Sequence, residues 1–510
     1  MSSLSLGLSL RRRRRGSRAP SSGTSASRYS LCGTGLRWPT ASQSQASNRF
    51  FTAEFFVGTP DYAVTDPRVF CPSFWSPASG ATEQYIAGGA SILLQGWSIE
   101  TSPGVWTACD GASDAGIATI NNGSAGAWLP RVAATLNANS MYRARLCFVV
   151  STNGVAIPRV QAQGSSAAPY GQERGQGSTS SLFAKLADNV ALTNANAIFY
   201  IPSMMIAKGG DGRPAVLALG DSIGYGIGDD TASGAWGARK TFGFVERGLD
   251  SNAGAKRFGY HIMAIPGQGA CRNDGTGWDF AANWAGKRAA LAAVNTEYGA
   301  WPFDLVLSQH ITNSIAYTAD GGDLRVGMGR YYDLLASTWG KPVTQIEGIP
   351  ASTSTDGWAT LANQTPNSGK GFPTANLGHM WTFNADVGSD GLHDATRHYR
   401  TAGKIEDSIG AWRAINPTPN DDRDLWPPEA FATTLTSAYA SGSTIVTAAA
   451  PEVGSWVAVQ LDTLAWSVAR QVTAVTGSGP YTVTLSGTLA SGAAIGKPVR
   501  NTPGDGLHPS

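Results

Sequence analysis

The chain has 510 residues, which at roughly 100–200 residues per domain predicts about three domains. Hydrophobic residues make up 42 % of the sequence and 16 residues are Trp, so the chain can bury a core and is not disordered throughout. No apolar run approaches the ~20 residues needed to cross a bilayer, which excludes a protein built from transmembrane helices.

Residues 1–49 are predicted to be a flexible arm, because Ser, Leu, Gly, Thr and Ala dominate them around a run of arginines. Six Arg occupy positions 11–15 and 18, and without them the net charge of +2 becomes −4 for residues 19–510. An acidic body does not favour nucleic-acid binding, so no nucleic-acid partner is expected. The arginines either contact nucleic acid or a membrane surface, or form a solvated arm that attaches the protein to a partner. They follow the apolar residues, the reverse of a signal peptide, so no conventional export signal is expected.

Residues 50–208 are predicted to form a β-sandwich or jelly-roll-like domain. Short apolar runs separated by Gly, Pro, Asn and Ser are typical of many short strands. The runs that carry this prediction are 50–57, 90–97, 143–150 and 197–201.

Residues 209–428 are predicted to form an α/β domain. The stretch GGDGRP at 209–214 is a strong chain break, and after it apolar strands alternate with helical segments. This alternation predicts a parallel sheet with helices on both faces, whose ligands bind beyond the carboxyl ends of the strands. The predicted strands cover 216–219, 260–265, 305–307 and 342–349, and the predicted helices cover 278–294 and 323–338.

Residues 429–510 are predicted to form a small β module with a C-terminal tail. The module begins after Pro427 and Pro428 and contains almost no helical pattern. Its predicted strands are 443–448, 455–461, 469–475 and 481–485.

The sharpest chemical signal is the sequence ALGDSIG at 218–224, which places Ser222 at the tip of a predicted buried strand. Glycines on both sides permit a tight strand-to-helix turn that exposes the hydroxyl, as a nucleophile requires. A serine nucleophile needs a base, and that base needs an orienting group. Among the six His, His393 stands out because it shares the sequence DGLH with Asp390, so one loop can supply both.

The string Gly220-x-Ser222-x-Gly224 also fits the nucleophile elbow of α/β-hydrolases. Two features oppose that interpretation. Ser222 follows the first strand of its domain, whereas that fold builds several strands before its nucleophile. The candidate acid and base stand three residues apart, whereas in that fold they come from separate loops.

Four short blocks follow successive predicted strands or stand near the end of the α/β domain. They are GDSI at 220–223, IMAIPGQG at 262–269, SQHITNS at 308–314 and DGLH at 390–393. Together they resemble the blocks of the SGNH (GDSL-type) hydrolase family, over about residues 212–415. The resemblance implies a three-layer, flavodoxin-like α/β fold, flanked here by the β-rich domain and the small β module. It also implies that Ser222 is the nucleophile, His393 the base and Asp390 the acid that orients it.

The same resemblance implies an oxyanion hole formed by the N–H groups of Ser222 and Gly267 and by the side chain of Asn313. Such donors are typically worth about 3–4 kcal/mol each in the transition state. Gly269 is the alternative to Gly267. We favour Gly267 because it follows the strand-ending Pro as the family's glycine follows a small residue.

A second DGLH string stands two residues before the C-terminus and makes Asp505 and His508 the alternative acid and base. We favour Asp390 and His393, because the family's last block precedes a helix that packs on the sheet, and residues 395–412 can supply that helix. If the C-terminal module is an insertion, the terminal pair can swing back over the site.

Trp358 and Trp381 are candidate substrate-binding residues, because they lie in a long loop before His393 and an indole ring can stack on a sugar. Core packing is the alternative role for both. Two other histidines, His261 and His310, are expected to be structural.

No cofactor and no metal ion are expected. The five Cys are widely spaced without a CxxC pair, and are expected to be mostly buried as small apolar residues. No HExxH string or His/Cys cluster suggests a metal site. The glycines at 224, 226 and 228 lack the spacing of a dinucleotide-binding loop.

These features predict a serine esterase that removes small acyl groups, with O-acetyl groups of an extracellular or cell-surface polysaccharide as the favoured substrate. Only 15 % of residues are charged, and a surface rich in Gly, Ser, Thr and Trp suits contact with glycans. A basic arm, β modules and a glycan-acting domain together resemble phage tail and prophage proteins. That analogy predicts a virion or extracellular location, contact of the arm with other virion proteins, and a homo-oligomer that is a trimer if tail-associated.

Two alternative functions stay open. A non-catalytic virion structural or receptor-binding protein with a degenerate hydrolase domain would explain the third block, in which Ile311 replaces the usual Gly and Ser314 the usual Asp. A secreted lipase or thioesterase would prefer long acyl chains, but the sequence contains no obvious apolar lid helix.

Overall fold

The computed structural model describes parts of the chain between residues 26 and 502. The described residues are 26–160 without 34, 45 and 78–81; 174–192; 200–226; 243–250; 257–270; 284–310; 313–314; 321–346; 352–354; 364–366; 404; 407–409; and 432–502 without 452, 454, 464–466, 468–469 and 490–491.

Short antiparallel strands dominate the described residues before position 209, as the sequence predicts for 50–208. A 3₁₀ helix at Phe183–Leu186 interrupts them. The strands are β1 (Ser30–Leu31), β2 (Ala41–Gln43), β3 (Phe50–Gly58), β4 (Val64–Pro72), β5 (Phe74–Trp75), β6 (Gln84–Tyr85), β7 (Ser91–Ser102), β8 (Val105–Ala108), β9 (Ala118–Asn121), β10 (Gly126–Trp128), β11 (Thr135–Leu136), β12 (Met141–Val150), β13 (Ile157–Arg159), β14 (Arg174–Ser178) and β15 (Met204–Lys208).

Two of these sheets share one apolar core. The smaller has the order β1-β15-β4-β10 with β11 beside β4, and the larger has the order β14-β3-β12-β7-β8 with β9 beside β7. Phe51, Phe55 and Trp97 of the larger sheet are buried in one cluster with Cys71 and Met205 of the smaller. Burial of one face of each sheet against the other is the arrangement of a β-sandwich.

The smaller sheet is buried on both faces. Side chains on a strand alternate between faces, so Cys71 and Met205 point toward the larger sheet. Their neighbours Phe70, Met204 and Ile206 belong to a second core, which also contains the apolar residues of the α/β region. The smaller sheet therefore joins the sandwich to the α/β region through continuous apolar packing.

The α/β region is built on a parallel sheet. Counted along the chain, its strand order β17-β16-β18-β19-β22 is 2-1-3-4-5, the flavodoxin-like order that the family resemblance implies. The strands of the region are β16 (Val216–Gly220), β17 (Tyr260–Ala264), β18 (Leu305–Ser308), β19 (Val343–Ile346), the hairpin β20 (Ser352–Ser354) and β21 (Gln364–Pro366), and β22 (Asp407–Ile409). The helices are α1 (Ser222–Tyr225), α2 (Gly243–Leu249), α3 (Ala285–Tyr298) and α4 (Gly321–Trp339).

The four predicted strands and two predicted helices of this region are present with shifted bounds, but the helix expected over 395–412 is not continuous. Residues Asp407–Ile409 form β22, which pairs in parallel with β19. The expectation of a helix there is wrong for these three residues, because they complete the sheet beside β19. The rest of the segment 395–412, apart from residue 404, lies outside the described residues, as do both His393 and His508.

Part of the segment predicted to be a flexible arm is packed inside the protein. The backbone of Arg37 forms a parallel bridge with Ile262, at the edge of the parallel sheet. The Arg37 side chain is buried and pairs with Glu246 of α2, and the Tyr260 hydroxyl donates to the same carboxylate over 2.9 Å. This partner lies 209 residues away, so local composition cannot indicate that the segment is ordered.

A second buried ion pair links the sandwich region to α3. Glu83 accepts from the backbone N–H of Gly286 over 2.6 Å and from the ammonium of Lys287 over 2.8 Å. Lys287 also donates to Ser76, and the side chains of Glu83 and Lys287 are both fully buried. A carboxylate at the first turn of α3 satisfies helix N–H groups that have no partner within the helix.

The C-terminal β module has an apolar core of its own. Its sheet has the order β23-β28-β25-β26-β27-β24, and its four predicted strands are present. The core contains Ile445, Val459, Val483 and Val499. The strands are β23 (Ala432–Thr434), β24 (Gly442–Thr447), β25 (Trp456–Val459), β26 (Arg470–Thr476), β27 (Tyr481–Leu489) and β28 (Pro498–Thr502).

Within the described parts of the chain, no helix combines the length and the apolar character needed to cross a membrane.

Candidate active site

Ser222 lies at the carboxyl end of β16, where the direction of the strand order reverses. Strands β17 and β18 pair with the two sides of β16, and ligands of such sheets bind beyond this point. Ser222 is the first residue of α1 and is half-buried. Asp221 caps α1, because its carboxylate accepts from the N–H of Ile223 over 2.9 Å. The strand and the cap thus fix the chain on both sides of the hydroxyl.

The glycines beside Ser222 leave room for a neighbouring side chain. Neither Gly220 nor Gly224 has a positive φ, so the turn does not need their backbone freedom, contrary to the sequence interpretation. A Cβ at either position would lie 2.7 Å from Oε1 of Gln309. That oxygen accepts from the N–H of Asp221 over 3.2 Å and from the N–H of Gly224 over 2.8 Å. The glycines thus admit an acceptor beneath the turn.

Gly267 occupies a tight turn directly beside the end of β16. The N–H of Ile265 donates to the Gly220 carbonyl over 3.0 Å, which ties the two strand ends together. The N–H of Gln268 donates to the Ile265 carbonyl over 3.2 Å, and Gly267 has a φ of 78°. With Pro266 before it, this is a type II turn, whose third position requires a left-handed residue and favours Gly. A turn in this conformation can present a backbone N–H to a substrate.

Asn313 is held against the same turn. Its Nδ2 donates to the backbone carbonyl of Gln268 over 2.9 Å, and its side chain is half-buried. The hydroxyl of the next residue, Ser314, is buried and accepts from the N–H of Ala270 over 2.7 Å. Ser314, which replaces the usual Asp, thus holds the third block against the second. The amide of Asn313 keeps a second N–H that can serve an oxyanion.

Buried polar and aromatic side chains support the turn from below. The Trp284 indole donates to Oε1 of Gln268 over 3.1 Å, and its ring packs 5.3 Å from the imidazole of His310. Nδ1 of His310 lies 3.1 Å from the Tyr331 hydroxyl, which in turn lies 3.3 Å from the hydroxyl of Ser308. This network fixes the position of Gln268, and through it the Gln268 carbonyl that binds Asn313.

The two described histidines are structural. Burial lowers the pKa of His310 to about 3, and burial together with the nearby Arg37 lowers the pKa of His261 to about 3. Both imidazoles are therefore neutral at pH 7 and are weak bases for a serine hydroxyl. The other four histidines, His379, His393, His398 and His508, lie outside the described residues.

Three of the predicted site residues lie within the described residues. Ser222 follows β16 directly, Gly267 lies in the turn after β17, and Asn313 donates to the Gln268 carbonyl of that turn. The predicted acid–base pairs Asp390–His393 and Asp505–His508, and the aromatic candidates Trp358 and Trp381, lie outside the described residues.

Gln309 is the site residue that motif reasoning missed. It stands inside the third block, but a neutral amide directly after a strand carries no catalytic signature. Its position could have indicated it. In a parallel sheet the residue after β18 lies beside the end of β16, and Ser222 follows that end.

Cysteines and metal ligands give no second site in the described residues. Cys32, Cys71, Cys109 and Cys147 are buried free thiols, as expected for small apolar residues. Burial raises the pKa of each of these thiols, so they are protonated at pH 7. No group of three or more His, Cys, Asp or Glu is arranged to hold a metal ion in the part of the chain that the structure describes.

No protein-family model and no curated protein match the sequence. A carbohydrate acetylesterase from Sinorhizobium meliloti matches in structure at 14 % identity and a TM-score of 0.24, over 42 % of this chain and 90 % of that one. An M. smegmatis aryl esterase matches at 16 % identity and a TM-score of 0.25, over 42 % of this chain and 89 % of that one. A family two carbohydrate esterase from Cellvibrio japonicus matches at 13 % identity and a TM-score of 0.21, over 63 % of this chain and 80 % of that one. The chain is thus similar to solved esterases at values too low to assign an activity, and its chemistry has to be derived from its own residues.

Proposed function

We propose that this protein is a serine esterase that removes acetyl groups from a polysaccharide, with Ser222 as the nucleophile. The observation that carries the proposal is the arrangement at the ends of β16, β17 and β18. A half-buried serine at the switch point of a flavodoxin-like sheet adjoins a glycine turn and an amide donor, Gly267 and Asn313. A nucleophile with N–H donors on the neighbouring strand ends is the minimum that acyl transfer needs.

In the proposed reaction, Ser222 Oγ attacks the ester carbonyl while a histidine accepts its proton. The carbonyl π electrons move to oxygen, and the N–H groups of Ser222, Gly267 and Asn313 hold the resulting oxyanion. Collapse expels the sugar hydroxyl with the proton from the histidine and leaves acetyl-serine. Water then repeats the sequence and releases acetate.

The base in this proposal comes from one of the two DGLH strings. His393 with Asp390 is one pair, and His508 with Asp505 is the other. In each pair the carboxylate would orient the imidazole and stabilise its charged form. Single His393→Ala and His508→Ala variants distinguish the two pairs, because turnover is abolished only when the base itself is replaced.

The substrate proposal is an O-acetylated polysaccharide outside the cell, with Trp358 and Trp381 as stacking residues. The low content of charged residues, 15 %, and the flanking β regions support it. Attachment to a virion through the arginine-rich N-terminus, in a homotrimer, is the corresponding proposal for its biological setting.

The test is acetate release from acetylated xylan by the wild-type protein and by Ser222→Ala. We expect acetate from the wild type alone. Equal release by both proteins, at the rate without protein, would overturn the esterase proposal in favour of a binding role. A rate that rises with acyl chain length from acetyl to octanoyl p-nitrophenyl esters would instead identify a lipase or thioesterase.

A further inference from the structure

The backbone of Gln309 is held in the parallel sheet, which fixes where its side chain starts. It follows β18 directly, and its N–H donates to the carbonyl of Leu219 over 2.8 Å, which continues the pairing of β18 with β16. Gln309 is only 1 % exposed. Its amide is therefore presented to the end of β16 from a rigid position.

The Gln309 amide satisfies the backbone on both sides of Ser222. Oε1 accepts from the N–H of Asp221, one residue before the serine, and from the N–H of Gly224, two residues after it. Asp221 takes the remaining flanking N–H, that of Ile223. The first N–H groups of a helix have no partner within it, and α1, with four residues, is too short to be stable alone.

The space for this contact is created by two glycines. A Cβ on Gly220 or Gly224 would approach Gln309 Oε1 to 2.7 Å, closer than any ordinary contact. The acceptor and the two glycines therefore form one unit, in which a change at any member displaces the amide or leaves N–H groups unsatisfied.

From this geometry we infer that Gln309 is a positioning residue, which holds the Ser222 hydroxyl and N–H in the orientation that acyl transfer requires. The inference rests on the proposed esterase function. Gln309 acts through the backbone of residues 221 and 224 and does not touch the substrate. A displacement of reacting atoms by about 1 Å can lower a rate by about 100-fold, so the orientation of this turn matters for turnover.

The experiment compares kcat and KM for p-nitrophenyl acetate in the wild type, Ser222→Ala and two variants of Gln309. Gln309→Leu removes the acceptor at similar volume and is expected to lower kcat by about 10- to 100-fold with KM within about threefold. Gln309→Glu retains an acceptor oxygen whether it is protonated or ionised, and is expected to stay within about tenfold of wild-type kcat.

The matched control is Gln345→Leu. Gln345 is fully buried on the neighbouring strand β19, where it accepts from the Tyr332 hydroxyl over 3.0 Å and donates to the Ile346 carbonyl. Its loss removes buried hydrogen bonds without touching the serine turn. It is therefore expected to lower the melting temperature and leave kcat of the folded protein unchanged.

Wild-type kcat in Gln309→Leu, or an equal loss of kcat in Gln309→Leu and Gln345→Leu, would overturn the inference while the esterase function stands. If the wild type is no faster than Ser222→Ala, the esterase function fails and the inference fails with it. If Gln309→Leu does not fold, Gly224→Ala supplies the test, because its methyl group displaces the Gln309 amide. Unchanged kcat in that variant would overturn the inference.

Discussion

Replacement of Asn313 by alanine separates catalysis from folding at this site. The amide gives one N–H to the Gln268 carbonyl at 2.9 Å and, in the proposed reaction, a second to the oxyanion. Loss of an oxyanion donor typically raises the barrier by about 3–4 kcal/mol, which is about 10²- to 10³-fold in kcat. Loss of one half-buried hydrogen bond costs only about 1 kcal/mol of stability. We therefore expect a large fall in kcat with a small fall in unfolding free energy.

Ser314→Ala is the control for this prediction. The Ser314 hydroxyl accepts from the buried N–H of Ala270 at 2.7 Å and joins the same two segments, without facing the oxyanion in the proposed reaction. Its loss leaves an unsatisfied N–H and is expected to cost about 1–3 kcal/mol of stability, with kcat within about fivefold of the wild type. Urea unfolding and p-nitrophenyl acetate kinetics measure both quantities. An Asn313→Ala variant whose kcat falls no further than that of Ser314→Ala would refute the oxyanion role.

Three further predictions concern stability and the glycine turn. Glu83→Gln leaves Lys287 buried without its counter-charge and should lower the unfolding free energy by about 3–5 kcal/mol, while Lys287→Met added to it should recover part of that loss in urea unfolding. The pKa of His310 is about 3 in the folded state and about 6.5 in the unfolded state, so the stability that its neutral form contributes is complete above pH 6.5 and is lost as pH falls toward 3. His310→Gln should therefore weaken the fall in unfolding free energy between pH 7 and 4.5. An unchanged slope of unfolding free energy against pH would contradict this. Gly267→Ala and Gly299→Ala, with φ of 78° and 68°, should each lose about 1–2 kcal/mol in thermal unfolding, but only Gly267→Ala should also lower kcat.

The parallel sheet could be predicted because its first three strands are short, mostly apolar runs. Strands β16, β17 and β18 are buried on both faces, so their own sequences are apolar enough to indicate buried strands. Strand β22 has three residues, Asp407–Ile409, and depends on pairing with β19. A strand that short lies within a helical pattern and has no local signal of its own.

The ordered segment around Arg37 could not be predicted from composition. An arginine in a Ser- and Gly-rich stretch indicates a solvated arm, whereas here the carboxylate of Glu246, distant in sequence, pairs with the buried guanidinium. The same reason applies to Glu83 and Lys287. From the sequence alone both are expected at the surface, and they are buried because the sandwich region packs against α3.

At the candidate site, motifs gave the proposed catalytic residues but not the side chains that hold them. Ser222 was proposed from its place between glycines after a strand, and Gly267 and Asn313 from the resemblance to a hydrolase family. Gln309 and Ser314 contribute neutral hydrogen bonds whose value depends on adjacency between strand ends, which the sequence does not encode locally.

The proposed esterase reaction requires Ser222 to be the nucleophile that becomes acylated. The most direct measurement is mass spectrometry of the full-length protein after reaction with a fluorophosphonate, followed by peptide mapping. We expect a single adduct on the peptide that contains Ser222, with parallel loss of p-nitrophenyl acetate hydrolysis. An adduct on another residue, or hydrolysis that persists in Ser222→Ala, would contradict it.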